Sequence, residues 1–359
     1  MAAPIEFAAD LCICTQLQDR QVCQVSSEQL FDYHCSMENE HPGDTLLGLF
    51  KGDFEEELFH FNLMDHRTVL LVFLCFLLVS VRSEVQKDFS PECREFMYMG
   101  TPPRGLENHS LKKICQRYNG KPRYVTLYDV VDHIPVYSAY TFKRSDGFKK
   151  VDVPWMFEPQ LSTASDSGEM QPFPPSDVHD SFSDAQAVLE DYSNMVDFER
   201  GHLNPDEHQA HPDDKAATYT LTNVVPQIRE FNVGHWKQHE HIIRRRLNNY
   251  CRGMAYIVTG VTTSGRMIRK YNINRVAVPT YLWSAYCCID YDHNAPFDER
   301  SRFPAFAAYG LNEKEGAEVI EMSVQQLEIF LKKNTFVDKR FQIFFGNCEP
   351  NDAIMKVQA

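Results

Sequence analysis

Residues 198–246 read FERGHLNPDEHQAHPDDKAATYTLTNVVPQIREFNVGHWKQHEHIIRRR, a run in which histidines, carboxylates, amides and arginines crowd around two glycines. Within it, TLTNVV has strand composition, giving a strand over Tyr219–Val225 that Pro226 should end. A helix is then predicted from about Phe231 to Asn249. On that helix Asn232, Trp236, Glu240 and Arg244 recur every four residues and so share one slowly drifting stripe. An amide, a carboxylate and a guanidinium aligned with one Trp make a poor core face, but they suit a face that looks into a polar cleft. Upstream, ERGHLNP should turn at Gly201 and present His202 just after it. Singly, each residue has a plainer reading: His202 as a satisfied histidine, Asn232 as a helix cap, Trp236 as core and Arg244 as a solvated face. It is the joint spacing that favours a functional cleft.

Outward from this stretch the chain looks like one α+β domain over residues 84–359. RYVTLYDVVDHIPVYSAYTF (123–142) gives two β-rich runs broken at Asp132-His133, and residues 143–182 form a loop rich in Ser, Asp, Pro and Gly. SDAQAVLEDYSNM predicts a short helix capped by Ser183 or Asp184. MAYIVTGV (254–261) and RVAVPTYLWSAYCCIDY (275–291) are strands by composition, a helix capped by Ser323 follows, and FQIFF (341–345) should close the chain as a strand. Glu84 to Asn119 is turn-rich, with Pro102-Pro103 and Arg104-Gly105 between Cys93 and Cys115, and looks like a stapled N-terminal arm.

The formal charge of −14 argues against a nucleic-acid partner until it is divided along the chain. Residues 1–67 hold 13 acidic against 3 basic side chains, whereas from Glu84 onward the counts are 37 and 32, so a local basic groove is allowed. MDHRTVLLVFLCFLLVSVRSEV, from Met64, joins a basic start to an uncharged run of 14 residues, too short to span a bilayer comfortably. We read residues 64–83 as a signal peptide cut near Ser83/Glu84, and residues 1–63 as an acidic, poorly packed upstream extension or a mispredicted exon. A membrane anchor with an acidic tail is the alternative. Secretion fits the six cysteines after Glu84, an even number, and makes the sequon Asn108-His109-Ser110 usable for glycosylation. Adjacent Cys287 and Cys288 point to opposite faces of a strand, so each should find a distant partner, although fifteen pairings are open.

ERGHLNP, TLTNVVPQ, FNVGHWKQHE and AYIVTGV together resemble the DNA/RNA non-specific endonucleases of the ββα-metal superfamily, and the signal peptide and cysteine-rich arm resemble the secreted endonuclease-domain group within it. The likeness implies a ββα-metal (His-Me finger) fold with a central antiparallel sheet flanked by helices. It implies hydrolysis of DNA and RNA, with His202 as general base and one divalent ion, Mg²⁺ first, held by Asn232. Glu240 would hold a water on that ion, while Arg200 and Arg244 would neutralise the phosphate in the transition state. Asn223 would sit by the substrate, with Lys150, its neighbour Lys149 and Arg144 as further phosphate contacts. Position 199 carries Glu where the family has Asp, which implies lowered activity that Glu199→Asp should raise, or a member that binds nucleic acid or protein without cutting. A rival zinc site at His235 and His239, spaced i and i+4, lacks the Glu that a zinc protease places after its first histidine. His202, His208 and His211 could also form a pH-sensitive patch. No base-reading element is visible, so nucleic-acid binding should rest on the phosphate backbone.

Overall fold

The computed structural model describes residues 12–17, 20–25, 88–106, 108–147, 150–163, 166–174, 182–335 and 337–349. Residues 1–78 and 79–359 form separate units. In the first, β1 (Cys12–Leu17) pairs antiparallel with β2 (Arg20–Val25), a hairpin the acidic composition does not announce. The signal-peptide segment and Lys149 lie outside the described residues. Among the described residues no helix is long and apolar enough to cross a membrane.

The second unit is built on a seven-stranded antiparallel sheet. Its strands are β3 (Leu111–Tyr118), β4 (Lys121–Asp129), β5 (Ile134–Thr141), β10 (Ala255–Lys270), β11 (Ile273–Cys288), β12 (Ala305–Leu311) and β13 (Val319–Met322), in the order β13-β12-β11-β10-β5-β4-β3. Two small pairs lie beside it: β6 (Met156–Phe157) with β7 (Gln171–Pro172), and β8 (Phe198–His202) with β9 (Val224–Ile228). Among its helices are α1 (Pro212–Ala216), α2 (Lys237–Tyr250) and α3 (Val324–Asn334).

Successive residues of a strand face opposite sides, and here both sides are covered. Val125, Ala139, Val258 and Ala285 pack with Leu327 and Leu331 of α3 on one face. Their chain neighbours Tyr124, Tyr140, Ile257 and Tyr286 pack with Ile243 and Leu247 of α2 on the other. Burying both faces explains why the central strands read as near-continuous apolar runs. Ser323 caps α3 through a reciprocal capping box with Gln326, as its sequence leads one to expect.

Several expectations need correction. The cysteine-rich arm contains a full edge strand, β3, whose alternation is masked by Lys112, Lys113, Gln116 and Arg117. Residues 183–195 make only a 3-10 turn at Leu189–Tyr192, because Arg275 holds Asp191 (2.8 Å) and the Asp191 carboxylate caps Val188 N. FQIFF is not a strand: one bridge joins Gln342 to Arg104, and Phe341, Ile343 and Phe344 enter the core. The six cysteines pair as Cys93–Cys115, Cys251–Cys288 and Cys287–Cys348, so neighbours Cys287 and Cys288 tie opposite faces of β11 to different segments. Asn108 of the sequon is exposed.

Candidate active site

Strands β8 and β9 and helix α2 form a ββα unit against the sheet. The strand expected to stop at Pro226 instead runs through it, over Val224–Ile228, facing Arg200 across the pair. A two-stranded pair leaves each strand with one unpaired edge, where a proline's missing N–H costs no ladder bond. Gly201 lies inside β8 rather than at a turn. A Cβ there would overlap the Gln227 side chain, so the glycine is required by close approach.

Helix α2 does not continue smoothly back to Phe231. One helical turn at Arg229–Phe231 leads into a π-turn over Asn232–Trp236, with Gly234 at φ −104° and ψ −108°, before α2 begins at Lys237. The wide turn takes Asn232 out of phase with Trp236, Glu240 and Arg244, so the expected four-residue stripe does not hold at its first member. Asn232 points instead to β8: its Nδ2 donates to Glu199 Oε2 at 2.9 Å. Arg229 also faces that carboxylate, at 3.5 Å. The longer Glu side chain therefore reaches the amide directly and orients its Oδ1 as a neutral oxygen. One amide oxygen beside a carboxylate is a hard-oxygen donor set, which fits Mg²⁺ with water completing the sphere. Trp236 is core, 1% exposed.

Three residues along β8, His202 is wedged between aromatic rings, with its ring centre 5.5 Å from Trp155 and 5.2 Å from Tyr219. Its Nε2 is enclosed and makes no hydrogen bond. Burial lowers its pKa to about 4, with Arg200 pulling the same way and Asp206 partly restoring it. The imidazole is thus neutral at pH 7. Arg200, on the same side of β8, lies with Cζ 4.5 Å above the Trp155 ring, and desolvation lowers its pKa as well. Tyr219 donates to Asp206 Oδ2 at 2.9 Å, which fixes the wall of the histidine slot.

Asn223, expected beside the substrate, is found inside the fold. It is wholly buried, and its amide ties the sheet to the segment after His202. Oδ1 accepts from Ser138 Oγ (2.9 Å) and Asn204 N (3.0 Å), while Nδ2 donates to the carbonyls of Asn204 and Thr218 (both 3.0 Å). Gln116, Thr126 and Thr222 extend this buried chain across β3 and β4. Asn312, unremarked in the sequence, fixes β9 likewise by accepting from Ile228 N (2.8 Å) and donating to Pro226 O (3.1 Å).

The remaining expected residues do not all gather here. Arg244, expected at the phosphate, pairs with Glu207 at 3.3 Å and donates to the carbonyls of Ser145 and Asp146, so it straps the 143–147 loop onto α2. Arg144 donates to the Cys251 carbonyl, at the far end of α2 from Asn232. Lys150 is exposed. Burial, reinforced by Glu207 and Asp206, holds the Glu240 carboxyl well above the usual carboxylate range. His208 is buried and neutral: Nε2 donates to the Glu240 carbonyl (3.0 Å), which leaves Nδ1 to accept from Tyr140 (3.0 Å). His211 caps α1 instead of joining His202, so the histidine patch does not form. The zinc reading fails on the same grounds, because His239 is buried against Ser284 Oγ at 2.7 Å while His235 is exposed. Among the described residues only Glu92, Cys93 and Cys115 gather metal-binding atoms, and those two thiols are joined in a disulfide.

A family model, DNA/RNA non-specific endonuclease, matches residues 103–338, which include β8, β9 and the following helix. The chain belongs to the DNA/RNA non-specific endonuclease family. It is 35% identical over 212 residues to the Endonuclease domain-containing 1 protein of Homo sapiens, covering 55% of this chain and 39% of that protein. The Mus musculus protein of the same name is 31% identical over 202 residues, covering 55% and 38%. The chain thus spans about two fifths of the length of these curated relatives. Among solved structures, a chain from the EndoG/EndoGI complex superposes with a TM-score of 0.46 and 17% identity, covering 73% of this chain and 95% of that one. The α+β fold with its central antiparallel sheet is the one expected from the sequence.

Proposed function

We propose that the chain is a secreted, Mg²⁺-dependent endonuclease that hydrolyses phosphodiester bonds in both DNA and RNA. The observation that carries this reading is the Asn232–Glu199 bond, which joins the helix to the strand that also holds His202. Asn232 Oδ1, oriented by Glu199, would hold the ion, which when bound would supply polarisation of the scissile phosphate and stabilisation of the leaving 3′ oxygen. His202 accepts the proton of the attacking water, since a histidine with a pKa near 4 is deprotonated at every physiological pH. Arg200, half-buried on Trp155, neutralises charge on the phosphate more strongly than a cation in bulk water could. Three disulfides support an oxidising, extracellular setting.

A second reading, a family member that binds nucleic acid or protein without efficient cutting, draws on Arg244. Its engagement with Glu207 and two loop carbonyls leaves the phosphate one cation fewer than the family pattern implies. Plasmid nicking by the purified chain, with Mg²⁺ or EDTA and with His202→Ala, separates the two. Metal-dependent nicking that the substitution abolishes supports the hydrolase, and intact plasmid under every divalent ion supports the binder.

A further inference from the structure

The β10–β11 hairpin is far longer than the rest of the sheet requires, with 16 residues in each strand. Only its base pairs with β5 and β12, through Tyr256–Gly260 and Tyr281–Cys287. Beyond that base, Met267, Ile268, Val276, Ala277 and Val278 enter the same apolar cluster as Leu203, Val225, Phe231 and Trp155, so the arm grows out of the wall of the candidate active site. Arg266 lies 5.2 Å above the ring of Phe198, the first residue of the strand that ends in His202.

The tip has an unusual composition. Residues 266–275, RMIRKYNINR, hold four basic side chains and no acidic one. Two of the four serve the fold: Arg275 pairs with buried Asp191 (2.8 Å), and Arg266 faces Glu313 (3.7 Å). Arg269 and Lys270 donate to the carbonyls of Asn272 (2.9 Å) and Ser193 (3.0 Å), neutral acceptors that leave their charge unbalanced by these bonds. The two-residue turn then places Tyr271 at φ 50° and Asn272 at φ 65°. That conformation suits a tight hairpin but is uncommon for a tyrosine. Tyr271 is 98% exposed and Ile273 63% exposed, so a large ring stands in water at the end of a basic arm.

We propose that this tip docks a single strand of nucleic acid: Arg269 and Lys270 contact backbone phosphates, and the Tyr271 ring stacks on an unpaired base. An aromatic ring flanked by cations is the arrangement by which single strands are held without sequence preference. A lipid surface would call for more buried apolar area than Tyr271 and Ile273 supply. This inference rests on the nuclease reading for its substrate class, and it adds where the strand enters and which form of it is preferred.

The test is fluorescence anisotropy of the full chain in EDTA with a labelled oligothymidylate, and with a duplex of equal length, over a range of salt. Arg269→Glu combined with Lys270→Glu should weaken single-strand binding at least tenfold, and should flatten the log–log salt dependence by about 1.4, two phosphates at about 0.7 each. Tyr271→Ala should weaken the single strand by about 5- to 100-fold and the duplex much less. Near-UV circular dichroism checks that the variants stay folded. Affinities within twofold of the parent chain for both variants, or no binding by the parent chain, would overturn the inference. So would variants that lose only binding to phosphatidylserine vesicles. Hairpin-dependent binding by a chain that never nicks plasmid would leave the docking arm standing and remove the hydrolase, whereas nicking with hairpin-independent binding would do the reverse.

Discussion

Asn232 Nδ2 lies 2.9 Å from Glu199 Oε2, joining the π-turn before α2 to the strand that carries His202. The family pattern with Asp at this position suggests that Glu199→Asp should raise turnover. The geometry argues otherwise, because a carboxylate drawn back by one methylene no longer reaches the amide. Both Glu199→Asp and Glu199→Ala should therefore weaken Mg²⁺ binding, Ala by about 10- to 100-fold, as read by calorimetry. Unchanged affinity in Glu199→Ala would show that the carboxylate does not orient Asn232.

Because the pKa of His202 is lowered, its neutral form persists as the pH falls below 6.5 and is lost only near 4. The acid limb of the pH–rate profile should accordingly have its midpoint near 4, and an NMR titration of the imidazole should agree. A limb and an imidazole midpoint both near 6.5 would mean that His202 is open to water in solution.

Asn223→Ala should destabilise the chain by about 2–4 kcal/mol, since it leaves the Asn204 amide and two buried carbonyls without a partner. Urea unfolding measures this, and a loss below about 1 kcal/mol would move Asn223 out of the bracing role.

How much of this was legible in the sequence follows from what each signal reports. β4, β5 and the base of β10–β11 were visible because both faces of the sheet are buried, and the α3 capping box is a local code. His202 and Asn232 were singled out by their places in the local pattern, and Arg200 and Glu199 by the family resemblance, but their geometry was not legible. The π-turn at Gly234 has no signature in a period-four count, so Asn232 was placed on the wrong side of its helix. Asn223 and Arg244 were read as ligand-facing because polarity alone cannot tell a cleft from a buried hydrogen-bonded brace. Trp155 and Tyr219, which enclose His202, are 47 and 17 positions from it in the chain, and only folding brings them together.

Gly201→Ala should cost about 1–3 kcal/mol through overlap with Gln227, and Gln227→Ala in the same chain should recover part of that loss. Additive losses in the double variant would show that the glycine is needed for another reason.

The central claim, that His202 takes the proton while Asn232 holds the ion, is tested most directly by single-turnover cleavage of a defined oligonucleotide as Mg²⁺ is varied. His202→Ala should lower the rate at saturating Mg²⁺ by at least about 100-fold with half-saturation unchanged, whereas Asn232→Ala should move half-saturation to higher Mg²⁺. Cleavage that survives both substitutions at the parental rate and the parental Mg²⁺ dependence would contradict it.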